Sequence, residues 1–403
     1  MKIVLGLLWS ANCYLSTVLS SAKNLDLVDS ASARRREKNM KPSTSLLCLL
    51  LFGIIGASLT QAQVSAPTQH LGVIIEDSGT VDVPAQTVPL STFLSPEAKA
   101  YVAQHLKDMQ NREILQQDNG VPRFLKKYLV RDYELFAVEK KDEQIGGVHV
   151  YDYIPKSGVS ARNKGRILIN LHSGAFMGCW PGCAELESIP VSALGKVEVI
   201  SVDYREGPDN KFPAASEDVA AVYKELLKTH KSEHIGIYGC SAGGMQTAMS
   251  VAWFQKHSLP KPGAIGIFCA SAGETVDGDA LYIAMPLGEA RLASPNKSGL
   301  KSPFTYFSEA DPKDPMVSPI NSPEILAAFP PTLIITGTRD FELSSALYTH
   351  EQLEKLGVET ELHVWEGLFH GFFYNADIPE SKDAFSVMIR FFDRHLGGER
   401  PRD

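Results

Sequence analysis

The chain has 403 residues, 44% of them hydrophobic and 21% charged, a globular composition with enough apolar residues for a large core. A net charge of -8 at pH 7 argues against nucleic acid as a partner, because phosphate-backbone binders carry a basic patch or stripe. The one basic cluster, Arg34-Arg35-Arg36-Glu37-Lys38, falls in the first 62 residues, which read as a leader. Within it, Met40-Lys41 is followed by the apolar run from Leu46 to Ala57 and by small residues up to Ala62. A positive start, a short apolar core and small residues at a cleavage point describe a secretory signal peptide over 40–62, too short to span a bilayer comfortably. Residues 1–39 precede a complete signal, so the expectation is an over-extended start with Met40 as the true first residue. The expected location is secreted or periplasmic, with no membrane span after processing.

Export removes Cys13 and Cys48 and leaves Cys179, Cys183, Cys240 and Cys269. Cys179 and Cys183 are near enough in sequence for a loop disulfide, whose geometry the sequence leaves open. No metal site is expected: Cys-x-x-x-Cys lacks a second pair, and no His-Glu-x-x-His occurs.

Residues 63–94 are mixed Pro, Thr, Ser and Val without helical period, an extended tail. A helix then starts at Ser95-Pro96-Glu97, with a serine cap, proline in the first turn and Ala100, Val102, Ala103, Leu106 and Met109 on one face. With the short segment 119–130 it makes a helical cap region over 95–145. From 146 to 398 strands alternate with helices. Strands are expected at 148–154, 166–171, 197–202, 234–238, 263–268, 332–336 and 360–365, and helices at 213–227, 242–255, 343–356 and 380–395. Apolar strands flanked by helices make an α/β fold, with a mostly parallel sheet covered on both faces. Between Ser271 and Pro330 a Pro-, Ser- and Asp-rich insertion follows a strand end, where it can wall a pocket.

The chemistry centres on Gly239-Cys240-Ser241-Ala242-Gly243, between a strand and a helix. A serine hydroxyl is a poor nucleophile unless the backbone thrusts it toward a base, and glycines two before and two after leave room for that turn. An acid and a base follow at later strand ends, in the order Ser241, Asp340, His370. Asp340 holds the imidazole and His370 takes the serine proton; Glu342 is the fallback acid. The loop 172–176 after one strand, and the N–H of Ala242, can donate to a developing oxyanion. His172, Phe176 and Ser271 flank these segments and are the expected substrate-binding residues.

Further blocks join these: Leu171-His172 with Gly174-Ala175-Phe176, Asp203-Tyr204-Arg205 with Phe212-Pro213-Ala214-Ala215, Asp314-Pro315 with Ser318-Pro319, and His370-Gly371-Phe372. Together they resemble the hormone-sensitive-lipase-like branch of α/β-hydrolase fold esterases, over roughly residues 145–396. The resemblance implies oxyanion donors at Gly174, Ala175 and Ala242, an N-terminal helical cap, and hydrolysis of short-chain esters without a cofactor. It also exposes departures. Ser173 stands where the family has a first glycine, and Cys240 stands where it commonly has an aspartate.

The expected function is that of an exported serine hydrolase, cleaving a small-molecule ester through an acyl-enzyme. Lactone or arylamide hydrolysis on the same triad is the nearest alternative. A non-catalytic binding protein of the same fold is the alternative from another class. Acyl length, alcohol group and oligomeric state are not encoded in any of these motifs.

Overall fold

In the computed structural model of the protein, the described residues are 72–274, 276–289 and 305–397. The leader over 1–62 with its signal peptide, the start at Met40 and the first part of the 63–94 tail lie outside them. The chain divides into two units, Met1–Pro84 and Ala85–Asp403. In the first, Ile74–Ile75 pairs antiparallel with Val81–Asp82 across a turn.

The second unit is built on one sheet. Its strands are β1 (Val138–Ile145), β2 (Val148–Pro155), β3 (Ile167–Leu171), β4 (Glu198–Val202), β5 (Ile235–Cys240), β6 (Ala264–Phe268), β7 (Thr332–Gly337) and β8 (Thr360–Trp365). They lie in the order β8-β7-β6-β5-β3-β4-β2-β1. Pairing is parallel from β8 through β4, and antiparallel where β2 meets β4 and β1 meets β2. Strand β3 is apolar apart from Asn170 and buried at every residue, as a parallel strand covered on both faces must be. Its side chains alternate between two apolar clusters, Leu168 on one side and Ile167 and Ile169 on the other. The chain leaves β3 for β4 on one side and returns to β5 on the other. The carboxyl ends of β3 and β5, with Leu171 opposite Gly239, therefore flank a topological switch point, where loops diverge and leave a crevice.

The helices are α1 (Pro96–Asp108), α2 (Lys126–Leu135), α3 (Gly182–Gly195), α4 (Ala214–Leu226), α5 (Ala242–Lys256), α6 (Asp279–Gly288), α7 (Pro323–Ala327), α8 (Leu343–Lys355) and α9 (Pro379–His395). Two of the elements correct the sequence reading. The sheet begins at Val138, inside the segment 95–145 read as cap. Strand β1 carries six polar residues between Val138 and Ile145, the dress of an exposed edge strand rather than an alternating one. Helix α3 was missed because it has no stripe: it is buried continuously from Gly182 to Ser192 and contains Pro190. The 63–94 tail is also not all tail, since Leu94 is buried in the core and Leu90 packs against it.

Helix α1 starts as expected. Ser95 Oγ accepts from the Ala98 N–H at 3.0 Å, and Glu380 in the first turn of α9 accepts from both the Ser95 N–H (2.8 Å) and its hydroxyl (2.9 Å). The helix lays Tyr101 and His105 on Phe369; the imidazole of His105 stacks on that ring at 3.6 Å and 8°. Because Phe369 precedes His370, the cap helix bears on the loop that carries the expected base. Ser95→Ala removes the cap and one bond to Glu380 together; urea denaturation should show a loss of about 1–2 kcal/mol, and no loss would mean that α1 needs neither.

Candidate active site

Everything that converges on the site comes from carboxyl ends of strands. Ser241 follows β5 directly, in a backbone conformation (φ 56°, ψ -122°) that non-glycine residues avoid and that costs roughly 1–3 kcal/mol. Tight packing holds it there. A Cβ on Gly243 would lie 1.7 Å from the Leu171 carbonyl oxygen, and one on Gly239 would lie 2.2 Å from the same atom. The first turn of α5 therefore rests on the end of β3, and Ser241, between those glycines, stays partly exposed at the tip of a fully buried strand.

Asp340 lies three residues past β7 and His370 five past β8. The His370 Nδ1–H donates to Asp340 Oδ1 at 2.8 Å. Asp340 is fully buried and also accepts from Thr336 Oγ1 (2.8 Å) and the Glu342 N–H (3.0 Å). Burial disfavours both charges, but each partner outweighs it for the other: His370 is raised above its ordinary value and Asp340 lowered below its own. Glu342, the fallback acid, does not compete. Burial and the neighbouring Asp340 charge push its carboxyl well up, which disfavours its charged form. Phe341 stacks on the His370 ring at 4.3 Å.

Two consecutive residues tie the serine turn to the histidine loop. The Ser241 N–H donates to the Phe268 carbonyl at 2.8 Å, and the Gly371 N–H donates to Cys269 Sγ at 3.3 Å. Cys269, Asp340 and His370 also place possible metal ligands within 4.8 Å of one another. Two of these residues are already paired with each other through His370 Nδ1 and Asp340 Oδ1.

The loop after β3 is contorted: Gly174, Ala175, Phe176 and Cys179 all have positive φ. Gly174 is obligatory, since a Cβ there would lie 1.6 Å from the Gly178 carbonyl oxygen. Among the described residues, no protein group accepts from the amides of Gly174, Ala175 or Ala242. Gly174 and Ala175 are partly exposed, like Ser241 and His370.

The expected substrate-binding residues fare differently. His172 is wholly buried, stacked on Tyr204 at 4.4 Å, with Nδ1–H donating to the Ser173 carbonyl. Burial holds its imidazole down to about 4, so it is neutral. Phe176 is equally buried and stacks on Tyr306. Both rings hold the loop from within the core, a correction to the reading that they meet substrate. Ser271 does line a cavity, of about 480 Å³, together with Asp277, Asn321, Ser344 and Tyr348, but its lining includes none of Ser241, Asp340 and His370. The insertion after β6 contributes to that wall.

One functional group was missed. Glu187 of α3 is buried and accepts from Asn170, the Ser173 N–H, the Cys240 N–H and Tyr374. Burial raises its carboxyl to about 7, against the pull of these donors. A signal for it existed in the lone Asn170 of the apolar strand β3, a buried amide that demands a partner. Cys179 and Cys183 are joined by a disulfide at the start of the same helix.

A model of the alpha/beta hydrolase fold matches residues 168–374, from β3 through Tyr374. The chain belongs to the α/β-hydrolase fold family. Among curated relatives, an acetyl-hydrolase of Streptomyces hygroscopicus is 27% identical over 240 residues, covering 59% of this chain and 78% of that protein. An esterase of Acinetobacter venetianus is 25% identical over 229 residues, covering 56% and 74%. Among solved structures, esterase E25 is 28% identical with a TM-score of 0.67, covering 78% of this chain and 98% of its own. An esterase from the bacterial hormone-sensitive lipase family shares the α/β-hydrolase fold at 20% identity, TM-score 0.62, over 75% of this chain and 99% of that one. The esterase part of the motif resemblance is thus matched by relatives named acetyl-hydrolase and esterase.

The glycine packing gives a direct test. Gly243→Ala brings a methyl group onto the Leu171 carbonyl, and thermal denaturation should show a loss of roughly 3 kcal/mol or more, or no soluble protein; a variant as stable as the wild type would mean that α5 can move off β3.

Proposed function

We propose that this protein is an exported serine hydrolase that cleaves short-chain carboxylic esters. The observation that carries the reading is the buried Asp340–His370 hydrogen bond, anchored through Phe268 and Cys269 beside the strained Ser241. The names of the relatives, acetyl-hydrolase and esterase, support ester cleavage and a small acyl group. The signal-peptide pattern at 40–62 and the Cys179–Cys183 disulfide support export, since oxidising compartments preserve such bridges.

The geometry supports the following chemistry. Ser241 Oγ attacks the ester carbonyl carbon while His370 Nε2 takes its proton, and Asp340 stabilises the imidazolium so formed. The amides of Gly174, Ala175 and Ala242 receive the negative oxygen; with no competing acceptor among the described residues they need no rearrangement as charge develops. His370 then protonates the leaving alkoxide, and the acyl group stays on Ser241. Water gives a proton to His370, adds to the acyl carbon, and the acid departs as the proton returns to Ser241.

Four measurements test this. Ser241→Ala should lower kcat on p-nitrophenyl acetate by roughly 10³-fold or more and abolish fluorophosphonate labelling without changing the fold; undiminished hydrolysis refutes the nucleophile. For His370 to act as base it must lose its proton, and Asp340 raises its hold on that proton. The acid limb of kcat/KM should therefore lie above pH 6.5, the ordinary histidine value, and Asp340→Asn should shift it to lower pH while reducing kcat by about 10³–10⁴-fold. N-terminal sequencing of exported protein should begin at Gln63 or Pro67; a mature N-terminus upstream of Met40 contradicts the assigned signal. A panel of acyl esters, lactones and anilides separates the ester reading from its neighbours.

A further inference from the structure

Beneath the loops that converge on Ser241 lies a carboxylate that the mechanism above does not use. Glu187 points from α3 toward the ends of β3 and β5, and both of its oxygens meet donors only. Oε1 accepts from the Ser173 N–H at 3.0 Å and from the Tyr374 hydroxyl at 2.8 Å; Oε2 accepts from Asn170 Nδ2 at 2.9 Å and from the Cys240 N–H at 3.3 Å. The Ser173 hydroxyl adds a 2.7 Å bond to the same phenol. The backbone carbonyl of Glu187 is held as well, by the Tyr238 hydroxyl at 3.0 Å.

The places these donors come from matter more than their number. Ser173 immediately precedes Gly174, Cys240 immediately precedes Ser241, and Tyr374 lies four residues past His370. One rigid carboxylate is therefore bonded next to the oxyanion amides, next to the nucleophile, and near the base. We propose that Glu187 is a positioning residue: its carboxylate sets the spacing between the 173–175 loop and the serine turn, and couples both to the His370 loop through Tyr374. The inference rests on the hydrolase reading and adds a residue to it.

The chemistry of the side chain is specific. All four partners donate, so only a group that accepts at both atoms fits. A glutamine of the same shape must aim its NH2 at an obligate backbone donor, the N–H of Ser173 or that of Cys240, whichever way the amide is turned. The neighbouring side chain fits the same logic. The Cys240 side chain is an electrostatic neighbour of the Tyr374 hydroxyl, so a carboxylate at position 240 would compete with Glu187 for that phenol. A thiol there leaves the phenol to one acid, and moving the acid to position 240 becomes possible once Glu187 is neutral.

The test compares wild type, Glu187→Gln, Tyr374→Phe and the double variant Glu187→Gln/Cys240→Asp, by p-nitrophenyl acetate kinetics, fluorophosphonate labelling and melting temperature. Displacing acyl-transfer donors by a fraction of an ångström to 1 Å costs up to about 100-fold in rate. Glu187→Gln is expected to lose about 10- to 100-fold in kcat with KM changed less than about threefold. Tyr374→Phe should lose several-fold in kcat, and the double variant should regain part of what Glu187→Gln lost. A folded Glu187→Gln protein with kcat within about twofold of wild type overturns the proposal, as does a loss confined to KM. Should Glu187→Gln not fold, an unchanged kcat in Tyr374→Phe overturns it instead. A wild type that neither hydrolyses the ester nor takes the fluorophosphonate fails the hydrolase reading first, by a separate measurement, and the positioning role with it.

Discussion

The site depends on how closely α5 approaches the end of β3. With Gly239 and Gly243 both against the Leu171 carbonyl, no side chain fits between helix and strand, and the residue between them is forced into a left-handed conformation. That strain turns an ordinary strand-to-helix connection into one that presents a hydroxyl. The parallel sheet beneath supplies the resistance: β5 is buried at every position and paired on both sides, so the turn cannot relax by shifting the strand.

Around this contact the protein has buried an unusual amount of polarity. Glu187, Asn170, Ser188 and Ser201 form one connected network between α3 and the sheet. An ionised carboxylate loses several kcal/mol on leaving water, and charged hydrogen bonds return roughly 1.5–3 kcal/mol each. Four of them bring the two terms to similar size, which fits a carboxyl raised only to about 7. Such a group contributes little net stability. What it contributes is geometry, because a network satisfied in one arrangement penalises every other. The sign of its titration agrees: a carboxyl raised on folding stabilises the folded state below its ordinary value and loses that contribution as pH rises toward 7.

The histidine loop is constrained from outside as well. Its Phe369 is packed by Tyr101 and His105 of α1, and α1 is fastened through Ser95 to Glu380 at the start of α9. The N-terminal helix therefore completes the support of His370 rather than merely covering an opening. Inside the loop, Asp340 keeps the ring oriented through Nδ1, and burial beside Asp340 disfavours a second negative charge on Glu342.

The order of strands and helices, the turn at Ser241 and the positions of Asp340 and His370 just past later strands were legible in the linear chain. Each is carried by local signals: apolar runs, glycines at fixed offsets, a polar residue just past a strand. The choice between Asp340 and Glu342 was not, since both follow β7 and are buried, and only packing decides which carboxyl meets His370. The burial of His172 and Phe176 was missed for the same reason; in the loop after β3, they turn inward to hold it. Edge strand β1 and helix α3 lacked periodicity, one because solvent covers it and the other because protein surrounds it. Glu187 became visible only when four donors distant in sequence met at one point. The sequence by itself determined the fold and which residues could react; the tertiary structure alone decided which carboxylate does what, because a carboxyl's charge and partners depend on burial that no local pattern encodes.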